Sequence, residues 1–121
     1  MRVLEYTPPD QESPYSLWFN NLGPTEAAKI SVALTRLKNG NTSAIKWFRG
    51  IGEYVIDWGP GYRIYLAQDG ADLIILYGGG TKKHQQRDID AALTLHDEYK
   101  AAKKAQNTNT KVAPKSGTKS R

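Results

Sequence analysis

The first half of the chain carries apolar residues at helical spacing. A short run rich in strand-forming residues, 2–6, comes first, and the prolines that follow it end a predicted strand. Ser13 followed by Pro14 is typical of a helix start, because serine caps free N–H groups and proline fits the first turn. Apolar positions then recur at i, i+3, i+4 and i+7, and a second such stripe begins near Pro24 and ends at Asn39. Two helices joined this tightly are predicted to form an αα-hairpin.

The second half of the chain has the composition of a sheet. Four runs rich in Ile, Val, Tyr and Trp are predicted strands: Ile45–Phe48, Tyr54–Trp58, Tyr62–Ala67 and Leu73–Tyr77. Short links containing glycine separate them, and the Asp69-Gly70 pair is a strong hairpin signal. Such links favour an antiparallel meander. The glycine triplet at 78–80 is predicted to end the sheet, and a third helix is predicted from about Gln85 to Ala105.

The predicted elements follow the order β-α-α-β-β-β-α, with one further strand at 45–48. This order predicts an α+β domain, residues 1–105, in which helices pack on an antiparallel sheet. Residues 106–121 contain one valine, no aromatic residue and several lysines. Because such a composition buries too little apolar surface to offset its ordering entropy, we interpret 106–121 as a basic disordered tail.

The net charge of +5 is unevenly distributed along the chain. Residues 1–99 carry ten basic and twelve acidic side chains, whereas residues 100–121 carry seven basic side chains and no acidic ones. The sequence pI near 9.5 therefore reflects the tail and does not indicate a body that binds nucleic acid in general. Nucleic-acid binding by the body must rest on local clusters of cations.

The composition also excludes several classes of protein. A chain without cysteine has no disulfide scaffold, and two histidines are too few to suggest a structural zinc site. No run approaches the ~20 apolar residues of a membrane span, and residues 1–12 lack the order of a signal peptide. The glycines fit neither a dinucleotide-binding nor a P-loop fingerprint. We therefore expect a cytoplasmic protein without a metal, a cofactor or a membrane association.

Three groups of basic residues in the body are candidates for binding a phosphodiester backbone. They are Lys46 with Arg49, then Arg63, then Lys82, Lys83 and His84 with Arg87. Arg63 and Tyr65 share one face of their predicted strand, because side chains alternate with period two. Cations from separate elements with tyrosines among them suit phosphates and stacked bases. Purely structural interpretations stay open as well: Arg63 can pair with Asp57 or Glu53, and the two lysines can be a solvated helix start.

Two sequence blocks carry a resemblance to a known family. The first is WFRGIGEYVIDWGPGYRIYL, residues 47–66, and the second is LIILYGGGTKKHQQRDIDAA, residues 73–92. Their cores are G-P-G-Y-R-I-Y and G-G-x-x-K-x-x-Q-x-x-D-I-x-x-A. Together with LWFNNL and a helix ending RLKNGN, they resemble the RelE/HigB-like toxins of toxin–antitoxin modules, in particular the branch called addiction module killer proteins. The likeness spans residues 17–93 and implies a small RelE-like fold.

The resemblance implies a toxin that cuts messenger RNA on the translating ribosome and so inhibits translation. The implied chemistry is attack of a ribose 2′-hydroxyl on the adjacent phosphate, which needs a base, an acid and cations for the developing charge. Arg63 matches the family's sheet arginine and would bind the scissile phosphate. Lys82 or Lys83 falls where the family has a further basic residue, and Tyr65 is a plausible catalytic neighbour. The residues that would bind RNA around them are Lys46, Arg49, His84, Gln85 and Arg87.

The resemblance also implies a partner and leaves a second class of function open. The partner is a cognate antitoxin, expected to be a helix-turn-helix DNA-binding protein, in a higher-order toxin–antitoxin complex. Some relatives carry basic residues on the strand before the G-Y-R turn, whereas residues 53–58 are net acidic here. The cations would then come from Lys46 and Arg49, or an acid would supply the base. The alternative is a non-enzymatic binding toxin, either a ParE-like gyrase poison or a degenerate toxin that acts as a repressor partner.

Overall fold

The computed structural model describes residues 1–112 of the chain. The strands are β1 (Arg2–Glu5), β2 (Ile45–Phe48), β3 (Ile51–Ile56), β4 (Tyr62–Gln68) and β5 (Leu73–Gly80). The helices are α1 (Pro14–Asn20), α2 (Pro24–Lys38) and α3 (Gln85–Val112), with one turn of 3-10 helix at Lys82–His84. The predicted α+β class is confirmed, and the further strand predicted at 45–48 is present as β2.

Local sequence signals account for both helix starts in the first half. The Ser13 hydroxyl accepts a hydrogen bond from the Ser16 N–H at 3.1 Å, and Pro14 occupies the first turn of α1. Pro24 does the same for α2, where Gly23 is the cap residue. The predicted starts of both helices are therefore confirmed.

The sheet is mixed, and the prediction of a wholly antiparallel sheet is wrong. Within residues 1–112 its strand order is β1-β5-β4-β3-β2. Strands β2 to β5 form the predicted antiparallel meander, but β1 pairs with β5 in parallel, with Arg2 opposite Leu73 and Glu5 opposite Leu76. The connection that follows β1 contains α1 and α2 and is long enough to bring the chain to the far side of the sheet, so no short hairpin sets the direction of β1.

Strand β3 begins three residues earlier than predicted. The β2–β3 hairpin turns at Arg49 and Gly50, which have φ values of 52° and 87°. Two successive residues with positive φ are characteristic of a type I′ turn, which joins two strands directly. Pairing therefore starts at Ile51, opposite Phe48, and Gly52 lies inside the strand.

Strand β5 contains the glycine triplet that was predicted to end the sheet. Gly78, Gly79 and Gly80 pair with Tyr65, Ile64 and Arg63 of β4, after a register shift between Tyr65 and Leu66. A Cβ atom on Gly79 would collide with the Trp18 ring of α1. The bare backbone thus lets a strand and a tryptophan approach more closely than any side chain would allow.

The two faces of the sheet have separate cores. Alternate residues of β4 divide between them: Ile64 and Leu66 face α1 and α2, whereas Tyr65 and Ala67 face α3. The molecule therefore has three layers, and the α3 side carries the Arg63 and Tyr65 pair of the predicted site.

Helix α3 is longer than predicted. It continues from Ala105 to Val112, so residues 106–112 are helical where the disordered tail was predicted to begin. Residues 113–121 of that predicted tail lie outside the described residues. Lys103 and Tyr99 of α3 both bind the Asp69 carboxylate in the β4–β5 hairpin, and this contact ties the middle of the helix to the sheet. No helix in residues 1–112 is long and apolar enough to cross a membrane.

Candidate active site

Strand register gathers the central residues of the candidate site on the α3 face of the sheet. Glu53 lies opposite Tyr65 in the β3–β4 pair, and Arg63 lies opposite Gly80 in the β4–β5 pair. Directly opposed residues of an antiparallel pair project to the same face, so these side chains share one surface. Lys46 extends the row on β2, where it lies opposite Glu53.

The Glu53 carboxylate is the centre of this cluster. The side chain is 2% exposed, and its Oε2 atom accepts hydrogen bonds from the Tyr65 hydroxyl at 3.1 Å and from Gln85 Nε2 at 2.7 Å. The same oxygen lies 3.3 Å from Arg63 Nε. Three elements, β3, β4 and the first residue of α3, are therefore joined at one carboxylate oxygen.

Arg63 forms an ion pair with Glu53, one of the two pairings that its strand position allowed. The side chain is 12% exposed, and Nη1 donates a 2.7 Å hydrogen bond to the Gly61 carbonyl. Gly61 has a φ of 78°, a left-handed conformation that glycine adopts without strain. Arg63 Nε makes no well-directed hydrogen bond to any described residue, so its contact with Glu53 is a side-on ion pair and not a bidentate fork.

Tyr65 lies beneath the surface. It is 1% exposed, and burial together with the adjacent Glu53 carboxylate raises the pKa of its hydroxyl well above the usual value of 10.0. At neutral pH the hydroxyl therefore keeps its proton and donates a hydrogen bond to Glu53. In this geometry Tyr65 acts as a hydrogen-bond donor to the cluster, and it is not placed to accept a proton from a substrate.

The start of α3 adds a second carboxylate. Asp88 is 15% exposed, its Oδ1 atom lies 3.4 Å from Arg87 Nε, and its buried Oδ2 atom has no hydrogen-bond partner in the part of the chain that the structure describes. A Cβ atom on Gly80 would collide with Oδ2, so the Asp88 carboxylate packs directly against the backbone of β5. Sequence reasoning missed Asp88. Its spacing of i+3 from Gln85, which puts both side chains on one helix face, was the available signal.

The remaining predicted cations differ in where the fold places them. Lys82, Lys83 and His84 are exposed on the 3-10 turn, which begins two residues after the β5 partner of Arg63. Arg87, also exposed, follows about one helical turn later and contacts Asp88. These residues therefore lie at the same end of the sheet as Arg63.

Arg49 is not brought to this end. It occupies the β2–β3 turn beside Ile51, whereas Arg63 pairs with Val55, about 13 Å further along β3 at ~3.3 Å per residue. Lys46 is exposed and lies beside Glu53, between the two. Lys46 and Arg49 were the expected substitutes for the basic residues that are missing from residues 53–58. Only Lys46 of these two lies near the Glu53 cluster.

The described residues offer no ready metal site. No group of three or more His, Asp or Glu side chains within residues 1–112 is arranged to hold a metal ion. Charge in the site comes from Arg63, Glu53, Asp88 and the exposed lysines, and it permits anion binding at the rim of the sheet.

Comparison with known proteins adds a family relationship. The chain is 41% identical over 86 residues to an uncharacterized protein of Haemophilus influenzae, an alignment that covers 69% of this chain and 87% of that protein. The chain belongs to the same family as that protein. No protein-family model matches the chain. The relative's name assigns no activity, so a proposal about function rests on the site and on the sequence blocks that carry the resemblance.

Proposed function

We propose that this protein is the toxin of a type II toxin–antitoxin module and that it cleaves messenger RNA on the ribosome in the cytoplasm. One observation carries the proposal: Arg63 lies on the α3 face of the sheet, and β-pairing sets it beside Gly80, two residues before Lys82. Cations from two separate elements thus lie at the same end of the sheet. This is the arrangement that the G-Y-R and G-G-x-x-K blocks imply by their likeness to RelE/HigB-like toxins.

The proposed reaction is an attack of a ribose 2′-oxygen on the adjacent phosphorus. The new P–O bond forms as the bond to the 5′-oxygen of the next nucleotide breaks, the 2′-hydroxyl proton leaves to a base and the leaving oxygen gains a proton. Arg63 and the lysines of the 3-10 turn supply fixed positive charge for the phosphorane, usually the largest contribution in such sites. Lys82 or Lys83 is the accessible group for proton transfer, since the Tyr65 hydroxyl is buried.

A second function is favoured by one feature of the cluster. Glu53 compensates the Arg63 charge, and the Tyr65 hydroxyl is engaged with the same carboxylate. A toxin that only binds its target, such as a gyrase poison or a repressor partner, needs the surface of this site but not free catalytic groups. In either case the proposed partner is a helix-turn-helix antitoxin that assembles with the toxin into a higher-order complex.

Induced expression in a bacterial host separates the two functions. The proposal expects growth arrest together with new 5′ ends inside translated messenger RNAs. The double variant Lys82→Ala/Lys83→Ala should lose both effects and keep its fold, because both side chains are exposed. The double variant Lys29→Ala/Lys38→Ala, which removes two exposed lysines of α2, is the matched control and should remain toxic. Growth arrest without new RNA ends would instead support the binding toxin.

A further inference from the structure

Glu53 lies at a strand position where the alternation of buried and exposed residues predicts an apolar side chain. Its neighbours on the α3 face of the sheet are the buried Ile51 on β3 and the buried Tyr65 on β4, and Glu53 itself is among the most deeply buried side chains in residues 1–112. Taking a carboxylate out of water costs several kcal/mol unless charges and hydrogen bonds compensate it. An apolar residue would avoid that cost. The stability of the core therefore does not explain why a carboxylate lies at this position, and another reason is needed.

The contacts of Glu53 indicate what that reason is. Arg63 has two contacts: Nη1 donates a hydrogen bond to the Gly61 carbonyl, and Nε forms the ion pair with the Glu53 carboxylate. A long arginine side chain loses considerable rotamer freedom when it binds a ligand, and holding it in advance removes much of that cost. The carboxylate faces Nε and the Gly61 carbonyl accepts one N–H of Nη1, so among the contacts of the described residues the Nη2 group and the second N–H of Nη1 remain for a phosphate.

The same oxygen of Glu53 also fixes the edge of the neighbouring turn. Gln85 Nε2 donates to it at 2.7 Å, and Gln85 directly follows the Lys82–His84 turn. A displacement of the Glu53 carboxylate would therefore move the guanidinium and the base of the lysine turn together.

We propose that Glu53 is the positioning residue of the site, which orients the Arg63 guanidinium and the Lys82–His84 turn toward one phosphate. The role rests on the proposed function where it concerns catalysis, but the positioning of Arg63 is testable by itself. Glu53 contacts the arginine and not the RNA, so its loss should lower kcat more than it raises KM. A misplacement of about 1 Å at a catalytic group costs on the order of 100-fold in rate.

The test compares Glu53→Gln with Asp57→Asn. Each variant removes one negative charge from the same part of the chain, but Asp57 is exposed and lies outside the cluster, and the new amide at position 53 keeps an oxygen that can accept from Tyr65. The first readout is the Arg63 Nε–H signal in a ¹H–¹⁵N NMR spectrum, assigned by its absence from Arg63→Lys. The second is binding of a 2′-O-methyl RNA tetranucleotide, and the third is kcat and KM on programmed ribosomes.

The inference expects proton exchange at Arg63 Nε to be faster in Glu53→Gln, because the charged partner of this buried atom becomes a neutral amide. It also expects probe binding to weaken and kcat to fall by about 100-fold. Asp57→Asn should match the parent in all three. Equal Arg63 exchange in the two variants, or an unchanged kcat in Glu53→Gln, overturns the inference. If the parent cleaves no RNA, the exchange and probe measurements still decide the positioning role, and only the proposed reaction fails.

A second variant covers the case in which Glu53→Gln does not fold. Gln85→Ala keeps both partners of the ion pair but removes one of the hydrogen bonds that hold the carboxylate, so the carboxylate can move relative to Arg63 Nε. Exchange at Arg63 Nε should then be intermediate between that of the parent and that of the unfolded chain. Exchange as slow as in Asp57→Asn would contradict the inference.

Discussion

Replacement of Arg63 by leucine should destabilise the protein through the charge that it leaves behind. Glu53 is 2% exposed, so without Arg63 its carboxylate remains in a place that water barely reaches. Breaking a buried ion pair in this way costs about 3–5 kcal/mol. Because Tyr65 and Gln85 still donate to the carboxylate, we expect the lower end, about 3 kcal/mol, or roughly 10–15 °C in Tm.

Urea denaturation followed by tryptophan fluorescence measures this loss. The matched control is Arg36→Leu, an exposed arginine on α2, which should change the free energy of unfolding by less than about 0.5 kcal/mol. In the double variant Glu53→Gln/Arg63→Leu the buried charge is gone. Its loss in free energy of unfolding should therefore be about 1–2 kcal/mol smaller than the sum of the losses in the two single variants. Equal stability of Arg63→Leu and Arg36→Leu, or strict additivity in the double variant, would refute the reasoning.

Two further predictions concern the packing on either side of the sheet. The Tyr77 hydroxyl lies 2.6 Å from His96 Nδ1, and burial lowers the pKa of His96 below 6.5, so stability should be fully present above pH 6.5 and fall as the pH drops through the folded-state pKa. His96→Asn should flatten this part of the curve of stability against pH, whereas the control His84→Asn should not. If the slope survives in His96→Asn, the pH dependence does not come from His96. Gly79→Ala should lower the free energy of unfolding by about 1–3 kcal/mol, because the new methyl group meets the Trp18 ring. The smaller ring in Trp18→Phe should reduce that loss. A Gly79→Ala variant as stable as the parent would contradict the close contact.

Features set by short-range chemistry could be predicted from the sequence. The Ser13-Pro14 helix start, the four meander strands and the shared face of Arg63 and Tyr65 all follow from capping, turn residues and period-two alternation. These signals act within a few residues, so no knowledge of the tertiary structure is needed. They were enough to place Arg63 and Tyr65 on one face of a sheet, but not to place the other cations around them.

Features set by tertiary contact could not be predicted in the same way. The direction of β1 depends on where a connection with two helices returns the chain. The packing of Trp18 from α1 against Gly79 of β5 likewise joins residues that are far apart in the sequence. For Arg63 the sequence offered two partners, Glu53 and Asp57. The register places Arg63 opposite Val55, two residues from each of them, and the ion pair forms with Glu53, which lies within β3, whereas Asp57 lies just beyond the end of that strand. A one-residue slip would have exchanged the two faces of β3 and with them the candidate site.

Cleavage of messenger RNA by the purified chain on programmed ribosomes tests the central claim most directly. A radiolabelled message is incubated with the chain, with and without ribosomes, and the new ends are mapped by primer extension. The account predicts cuts within the translated region that require the ribosome, occur without added metal, and are lost in Lys82→Ala/Lys83→Ala but retained in Lys29→Ala/Lys38→Ala. Intact message in the presence of folded protein that still arrests growth would contradict the account and leave the binding toxin in its place.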